Sequence, residues 1–145
     1  MTDNKTLRRI LTNYKRVAVV GLSENPSRAS NVVARYLLKH GFEVIPVNPK
    51  YDEVLGQTCY PDLISIPTPV DIVDLFQRAE RVPPFVDDAI AIDAKVVWMQ
   101  LDIVHEEAAQ KARDAGLEVI MDRCIKIDYA NLLEGVNNIE TETRH

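Results

Sequence analysis

Val17-Ala18-Val19-Val20-Gly21-Leu22-Ser23-Glu24-Asn25-Pro26-Ser27-Arg28-Ala29-Ser30 is the stretch that decides the fold of this chain. Its first four residues are apolar and rich in β-branched side chains, with no polar alternation. A strand buried on both faces reads that way. The run stops at a glycine, the residue that turns a chain sharply at no steric cost. Nine residues follow, polar or small apart from Leu22 and one proline, and from Asn31 to His40 the apolar spacing becomes helical. Strand, tight turn and helix in that order open a βαβ unit.

Reading outward, the same grammar repeats. Upstream, Leu7, Ile10, Leu11 and Tyr14 form one apolar stripe over residues 5–14, with Asp3 or Thr2 as cap. Downstream, Gly41 closes the helix and Val44-Ile45-Pro46-Val47 is the next strand. Asp71–Phe76 predicts a strand, Pro83-Pro84 opens a helix to about Ile92, and Lys95–Gln100 is again a strand. A helix over 104–115, Gly116 and the strand Glu118–Met121 complete the series, with a short edge strand near Thr58-Cys59-Tyr60. Strands alternating with helices predict an α/β, Rossmann-like, doubly wound parallel sheet of five to six strands with right-handed crossovers. One domain over residues 1–133 and a mobile acidic tail over 134–145 follow from the loss of periodicity after Glu134.

Composition narrows the function. The chain has 145 residues, 46% of them hydrophobic, and a formal charge of −5. A chain of net negative charge is a poor candidate for nucleic acid or an anionic membrane surface, which call for a basic face, and it leaves room for a local cationic pocket. Two cysteines without a CxxC do not make a secreted scaffold, and His40, His105 and His145 are too far apart in sequence to suggest a metal set. The first residues carry no long apolar run, and no stretch approaches a membrane span, so a cytoplasmic location is the expectation.

In open α/β sheets, ligands sit beyond the carboxyl ends of the strands. The turn from Gly21 keeps the frame of the GxGxxG dinucleotide fingerprint but has Ser23 and Pro26 at its second and third places. A helix start just beyond supplies unpaired N–H groups and partial positive charge. Ser23, Ser27 and Ser30 add hydroxyls, and Arg28 a charge able to fork onto phosphate. The same residues also serve as ordinary caps and surface charge. The second strand ends Val47-Asn48-Pro49-Lys50-Tyr51, with no acid for ribose hydroxyls and a lysine instead. A phosphorylated ribose suits that lysine, which leaves NADP and coenzyme A both open.

The series Gly21-Leu22-Ser23-x-Asn25-Pro26-x-Arg28-x-Ser30, Val44–Pro49, Leu55-Gly56, Val70–Asp74, Trp98–Leu101 and Met121–Cys124 resembles the small coenzyme A-binding protein family. These are stand-alone Rossmann-like domains similar to the nucleotide-binding domain of the succinyl-CoA synthetase alpha subunit. The resemblance covers about residues 5 to 133. It implies a coenzyme A or acyl-CoA ligand whose ADP part lies at the first βα loop. By position, Gly21, Leu22, Ser23, Asn25, Arg28 and Ser30 would surround the pyrophosphate. Asn48, Pro49 and Lys50 would flank the adenosine and its 3′-phosphate, and Phe76 and Arg78 would approach from the other side. Three departures stand out: Ala29 for the family's proline, Gln77 where arginine is common, and Asp102 where glycine is common. Asp102 is expected to cap the helix from about Val104, and to repel an anionic acyl group. These departures also suit an interaction module that has lost its ligand.

A catalytic constellation is not evident in the sequence, and no intrinsic turnover is expected. The histidines read as capping or solvated residues, Trp98 as core, and Asp71 with Asp74 as a pair whose convergence sequence cannot establish. Cys124 leaves the last strand on the ligand side, beside Arg123, the cationic neighbour that thiolate chemistry uses. That leaves open a thiol-redox protein acting on CoA disulfides through Cys124, alongside a plain buried cysteine. Cys59 should lie near the opposite sheet edge. A protein partner or a homo-oligomer is a further expectation.

Overall fold

The computed structural model describes residues 2–134. Five parallel strands form one sheet in the order β2-β1-β5-β6-β7: β1 Arg16–Val20, β2 Glu43–Val47, β5 Ile72–Leu75, β6 Val96–Met99 and β7 Glu118–Ile120. A two-residue hairpin, β3 Glu53–Val54 with β4 Gln57–Thr58, stands apart from it. The edge strand expected near Tyr60 is reduced to a single parallel bridge between Tyr60 and Val47. The helices are α1 Asn4–Asn13, α2 Ala29–Lys39, α3 Val82–Ala91, α4 Glu106–Asp114 and α5 Ile125–Tyr129.

The sheet separates two apolar layers because strand side chains alternate between faces. Val17, Val19, Ile72, Val96, Trp98 and Ile120 face α1, α2 and α5. Ala18, Val20, Val73, Leu75, Val97 and Met99 face α3 and α4. The stripe on α1 buries Leu7, Ile10 and Leu11 completely. Each such side chain contributes about 1.5–3 kcal/mol of transfer energy. On α4 the facing residues are alanines, Ala108, Ala109 and Ala112, so that helix approaches the sheet closely.

The ends of the helices follow local chemistry. Asp3, of the two expected caps, accepts from Thr6 N at 2.8 Å. Asp102 does not cap α4. It adopts φ +67, three residues before the helix reaches its cap, and its N–H is held by Asp122 Oδ1 at 2.7 Å. His105 caps instead, its Nδ1 accepting from Ala108 N at 3.1 Å. His40 closes α2, with Nδ1 2.8 Å from Tyr36 O and its ring stacked on Tyr36 at 4.0 Å. Both histidines are therefore helix-end residues, as expected; His145 lies outside the described residues.

Sequence periodicity missed α5 and the π-helical turn Ala130–Glu134 that follows it. This segment buries Ile125, Asp128 and Leu132 against the α1 and α2 side of the sheet. Glu134, placed in the tail by the sequence reading, accepts a hydrogen bond from the Tyr36 hydroxyl. Residues 135–145 of that expected tail lie outside the described residues. No described helix is long and apolar enough to cross a membrane.

Candidate functional site

The chain leaves β1 toward β2 on one side and returns past β1 to β5 on the other. Connections therefore diverge at the carboxyl ends of β1 and β5, where such sheets form a crevice. Gly21 lies at the centre of it. Its φ is +86, and its N–H donates to Val47 O at 2.8 Å. A Cβ at this position would lie under 3.0 Å from the Phe76 carbonyl oxygen and 2.9 Å from Gln77 Nε2. The β5–α3 connection thus crosses directly over Gly21, and only a residue without a side chain fits.

The loop after Gly21 is pinned from α2. Ser23 N donates to Ser30 Oγ at 3.0 Å, and Asn31 Nδ2 to Ser23 O at 2.8 Å. Arg35 reaches back with Nε to Asn31 Oδ1 and Nη2 to Pro26 O, both at 2.8 Å. Asn25 Oδ1 accepts from Ser27 N and Oγ, so it shapes the loop from within. Arg28, the N-cap residue of α2, makes no side-chain hydrogen bond to the first turn. The first-turn N–H groups of α2 consequently face the crevice without a side-chain acceptor, unlike those of α1 and α4.

The second turn is tied to the first. Asn48 Nδ2 donates to Leu22 O at 3.1 Å, while Asn48 Oδ1 accepts from Lys50 N at 3.0 Å. Between the two turns is a cavity of about 390 Å³, walled by Gly21, Ser23, Arg28, Ser30, Asn48, Lys50 and Phe76. Those seven of the expected site residues converge on one space. Ala29 and Tyr51 join them, unexpected from the sequence. The other four do not line it. Leu22 is fully buried in the core beneath, Asn25 braces the loop, and Pro49 is an exposed turn residue. Arg78 belongs to a neighbouring trough of about 510 Å³, with Gln77, Arg81 and Ile103, and Phe76 is the wall the two spaces share. Among the described residues, Arg28, Lys50, Arg78 and Arg81 enter no ion pair.

Polar groups beyond the crevice have structural partners. Asp71 accepts from Lys15 N and Arg16 N at the amino edge of the sheet. Asp74 is wholly buried between Val19 and Trp98 in register, and accepts from Gln100 Nε2 at 2.8 Å. Burial raises its carboxyl well above the ordinary carboxylate range, and its Oδ2 has no partner. The two aspartates face opposite ends and do not converge. Trp98 is core, its Nε1 donating to Arg123 O at 2.8 Å. Arg123 grips Asp128 with two bonds of 2.8 and 2.9 Å, so its charge serves Asp128 rather than Cys124. Both cysteines are free, Cys59 beside the β2 edge and Cys124 after β7 at the other. Among the described residues, no group of three or more His, Cys, Asp or Glu stands together as a metal set.

A parallel sheet with a glycine turn and an uncapped helix start at its switch point defines a Rossmann-like domain, and among the described residues Arg28 and Lys50 line its crevice without an ion pair. Comparison with known proteins makes the assignment narrower. The chain belongs to the CoA binding domain family, whose profile matches residues 15–130. It is 44% identical over 124 residues to the uncharacterised protein YneT of Bacillus subtilis (strain 168), covering 86% of this chain and 92% of that one. A hypothetical protein from Pyrococcus horikoshii OT3 has a solved structure 45% identical to this chain, with TM-score 0.89 and coverage of 91% and 93%. The chain is also 30% identical over 121 residues to the ADP-forming acetate–CoA ligase I of Archaeoglobus fulgidus. That match takes in 77% of this chain but 18% of the ligase.

Proposed function

We infer that the protein binds coenzyme A or an acyl-CoA, with the ADP part in the cavity between the first two βα turns. The observation that carries this reading is the cavity itself: Arg28, Lys50 and the open first turn of α2 surround one space beneath a glycine that no side chain can replace. A pyrophosphate over Gly21–Ser23 meets the α2 N–H groups, the partial charge of the helix and the Arg28 guanidinium. Adenosine over Asn48–Tyr51 meets the Tyr51 ring, and a 3′-phosphate meets Lys50. Family membership and the likeness to an acetate–CoA ligase support coenzyme A over NADP.

The test is calorimetric titration with coenzyme A, dephospho-CoA and NADP. Coenzyme A should bind more tightly than dephospho-CoA. A charge-assisted contact is worth about 1.5–3 kcal/mol, so Lys50→Ala should cost coenzyme A about tenfold or more and leave dephospho-CoA unchanged. Heat for NADP with none for coenzyme A would overturn the reading.

A further inference from the structure

Among the described residues, Asp74 Oδ2 is the buried side-chain oxygen left without a hydrogen-bond partner. A polar atom stranded in a core lowers stability. An apolar pair of matching shape in place of Asp74 and Gln100 would hold the sheet together at least as well. Polar groups kept at such a cost mark functional sites. Asp74 stands on β5 two residues before Phe76, the wall that the cavity and the trough share. Its bond from Gln100 Nε2, at 2.8 Å, crosses to the residue that follows β6, and both side chains are buried.

Gln100 is where the connection from β6 to α4 begins. Its carbonyl accepts from Ile103 N at 3.0 Å, which closes the turn Gln100–Ile103 on itself. Ile103 O accepts from Asp122 N at 3.2 Å, and Asp122 Oδ1 holds Asp102 N at 2.7 Å. The turn is thus tied to the end of β7 by Asp122 and to β5 by Asp74. Ile103, rather than Asp102, faces the trough, so the repulsion of an anionic acyl group expected from Asp102 does not arise from its lining. With the ADP part in the cavity, the pantetheine arm of coenzyme A continues past Phe76 into that trough, against Ile103.

We propose that Asp74 is a positioning residue for the pantetheine arm: it does not touch the ligand, and through Gln100 it sets the turn whose Ile103 forms the far wall of the trough. The proposal rests on the coenzyme reading above and adds a residue that acts on that site from beneath. A hydrogen bond fixes Gln100 in direction as well as distance, which an apolar contact does not. Without it the turn keeps only its tie to Asp122 and can pivot about the end of β7. The Ile103 wall then moves, while the cavity between the first two βα turns, held by Ser30, Asn31 and Asn48, stays as it is.

Adenosine 3′,5′-bisphosphate carries the nucleotide end of the coenzyme without the arm, so calorimetry of both ligands on the full chain separates the trough from the cavity. Asp74→Val and Gln100→Met should each weaken coenzyme A about fivefold or more and change bisphosphate affinity by less than about twofold. Asp74→Asn keeps an oxygen for Gln100 Nε2 and should bind coenzyme A within about twofold of wild type. The double variant Asp74→Val/Gln100→Met exchanges both partners for apolar groups of similar size. It should be at least as stable as wild type in urea and still show the loss for coenzyme A. Equal losses for the two ligands overturn the proposal, and so does a double variant that binds coenzyme A as wild type does. If Asp74→Val does not fold, Gln100→Met makes the same test from the other side of the bond. If wild type binds neither ligand, the coenzyme reading itself falls and the proposal with it, an outcome distinct from variants that lose both ligands alike.

Discussion

Gly21→Ala separates the two demands that the structure makes on this glycine. At φ +86 an alanine costs about 1–2 kcal/mol, partly offset by the 0.4–1 kcal/mol gained when the unfolded chain is made stiffer. Gly41 has the same φ of +86 but open space around its missing side chain. Gly41→Ala should therefore lose about 1 kcal/mol. At Gly21 the new methyl also meets the Phe76 carbonyl, which is backbone and cannot rotate away. Overpacking of that kind adds about 1–3 kcal/mol, for a total of about 2–4 kcal/mol. In a chain of this size each kcal/mol moves the melting midpoint by about 3–4 °C. Urea denaturation and thermal melting of the two variants side by side measure the difference. Equal losses at both positions, within about half a kcal/mol, would refute the claim that the β5–α3 connection rests on Gly21.

Other expectations follow from named contacts. Arg35→Ala removes two bonds that hold the first loop, so coenzyme A affinity should fall several-fold by calorimetry while stability changes by about 1 kcal/mol or less. Asp74→Asn should flatten the pH dependence of stability. The buried carboxyl keeps its proton in the folded protein to a pH well above the unfolded value near 3.9. Between those two values the folded state binds the extra proton, and stability falls as pH rises, by up to about 1.4 kcal/mol per pH unit. Denaturation at pH 5 and pH 7 should show the Asp74→Asn variant gaining on wild type at the higher pH, and an equal difference at both would contradict this. Asp128→Asn breaks the paired bonds from Arg123 at a buried position and should cost about 1–3 kcal/mol by urea denaturation, without touching coenzyme A affinity.

The sheet was legible because its strands are short apolar runs that end in glycine or polar turns, and its first four helices carry apolar stripes. α5 was not. It is five residues long, too short for a period, and its Asp128 reads as a surface residue because the Arg123 pairing that lets it be buried is not visible in the pattern. The cap at His105 was hidden for a similar reason. Aspartate is the stronger cap by type, but Asp102 is drawn into a left-handed turn by Asp122, which no local pattern in the chain announces.

For the candidate site, Gly21, Ser23, Arg28 and Ser30 were readable around the glycine turn and Lys50 at the end of the second strand, while Asn48 and Phe76 were implied by the family resemblance; all seven line one cavity. What sequence did not convey is direction. Leu22 and Asn25 lie in the same loop as Ser23 and Arg28, yet one points into the core and the other braces the loop. Asn31 and Arg35 escaped notice because they act from within a helix on a loop up to nine residues away. The Arg78–Arg81 trough depends on how the β5–α3 and β6–α4 connections lie beside each other, a long-range fact.

The most direct test of the central claim is a ¹⁵N NMR titration with adenosine 3′,5′-bisphosphate, followed by coenzyme A. The bisphosphate should shift the amide signals of Gly21–Asn31 and Asn48–Tyr51, and coenzyme A should extend the changes to Phe76–Arg81. Shifts confined to other parts of the chain, or none with either ligand, would contradict the account.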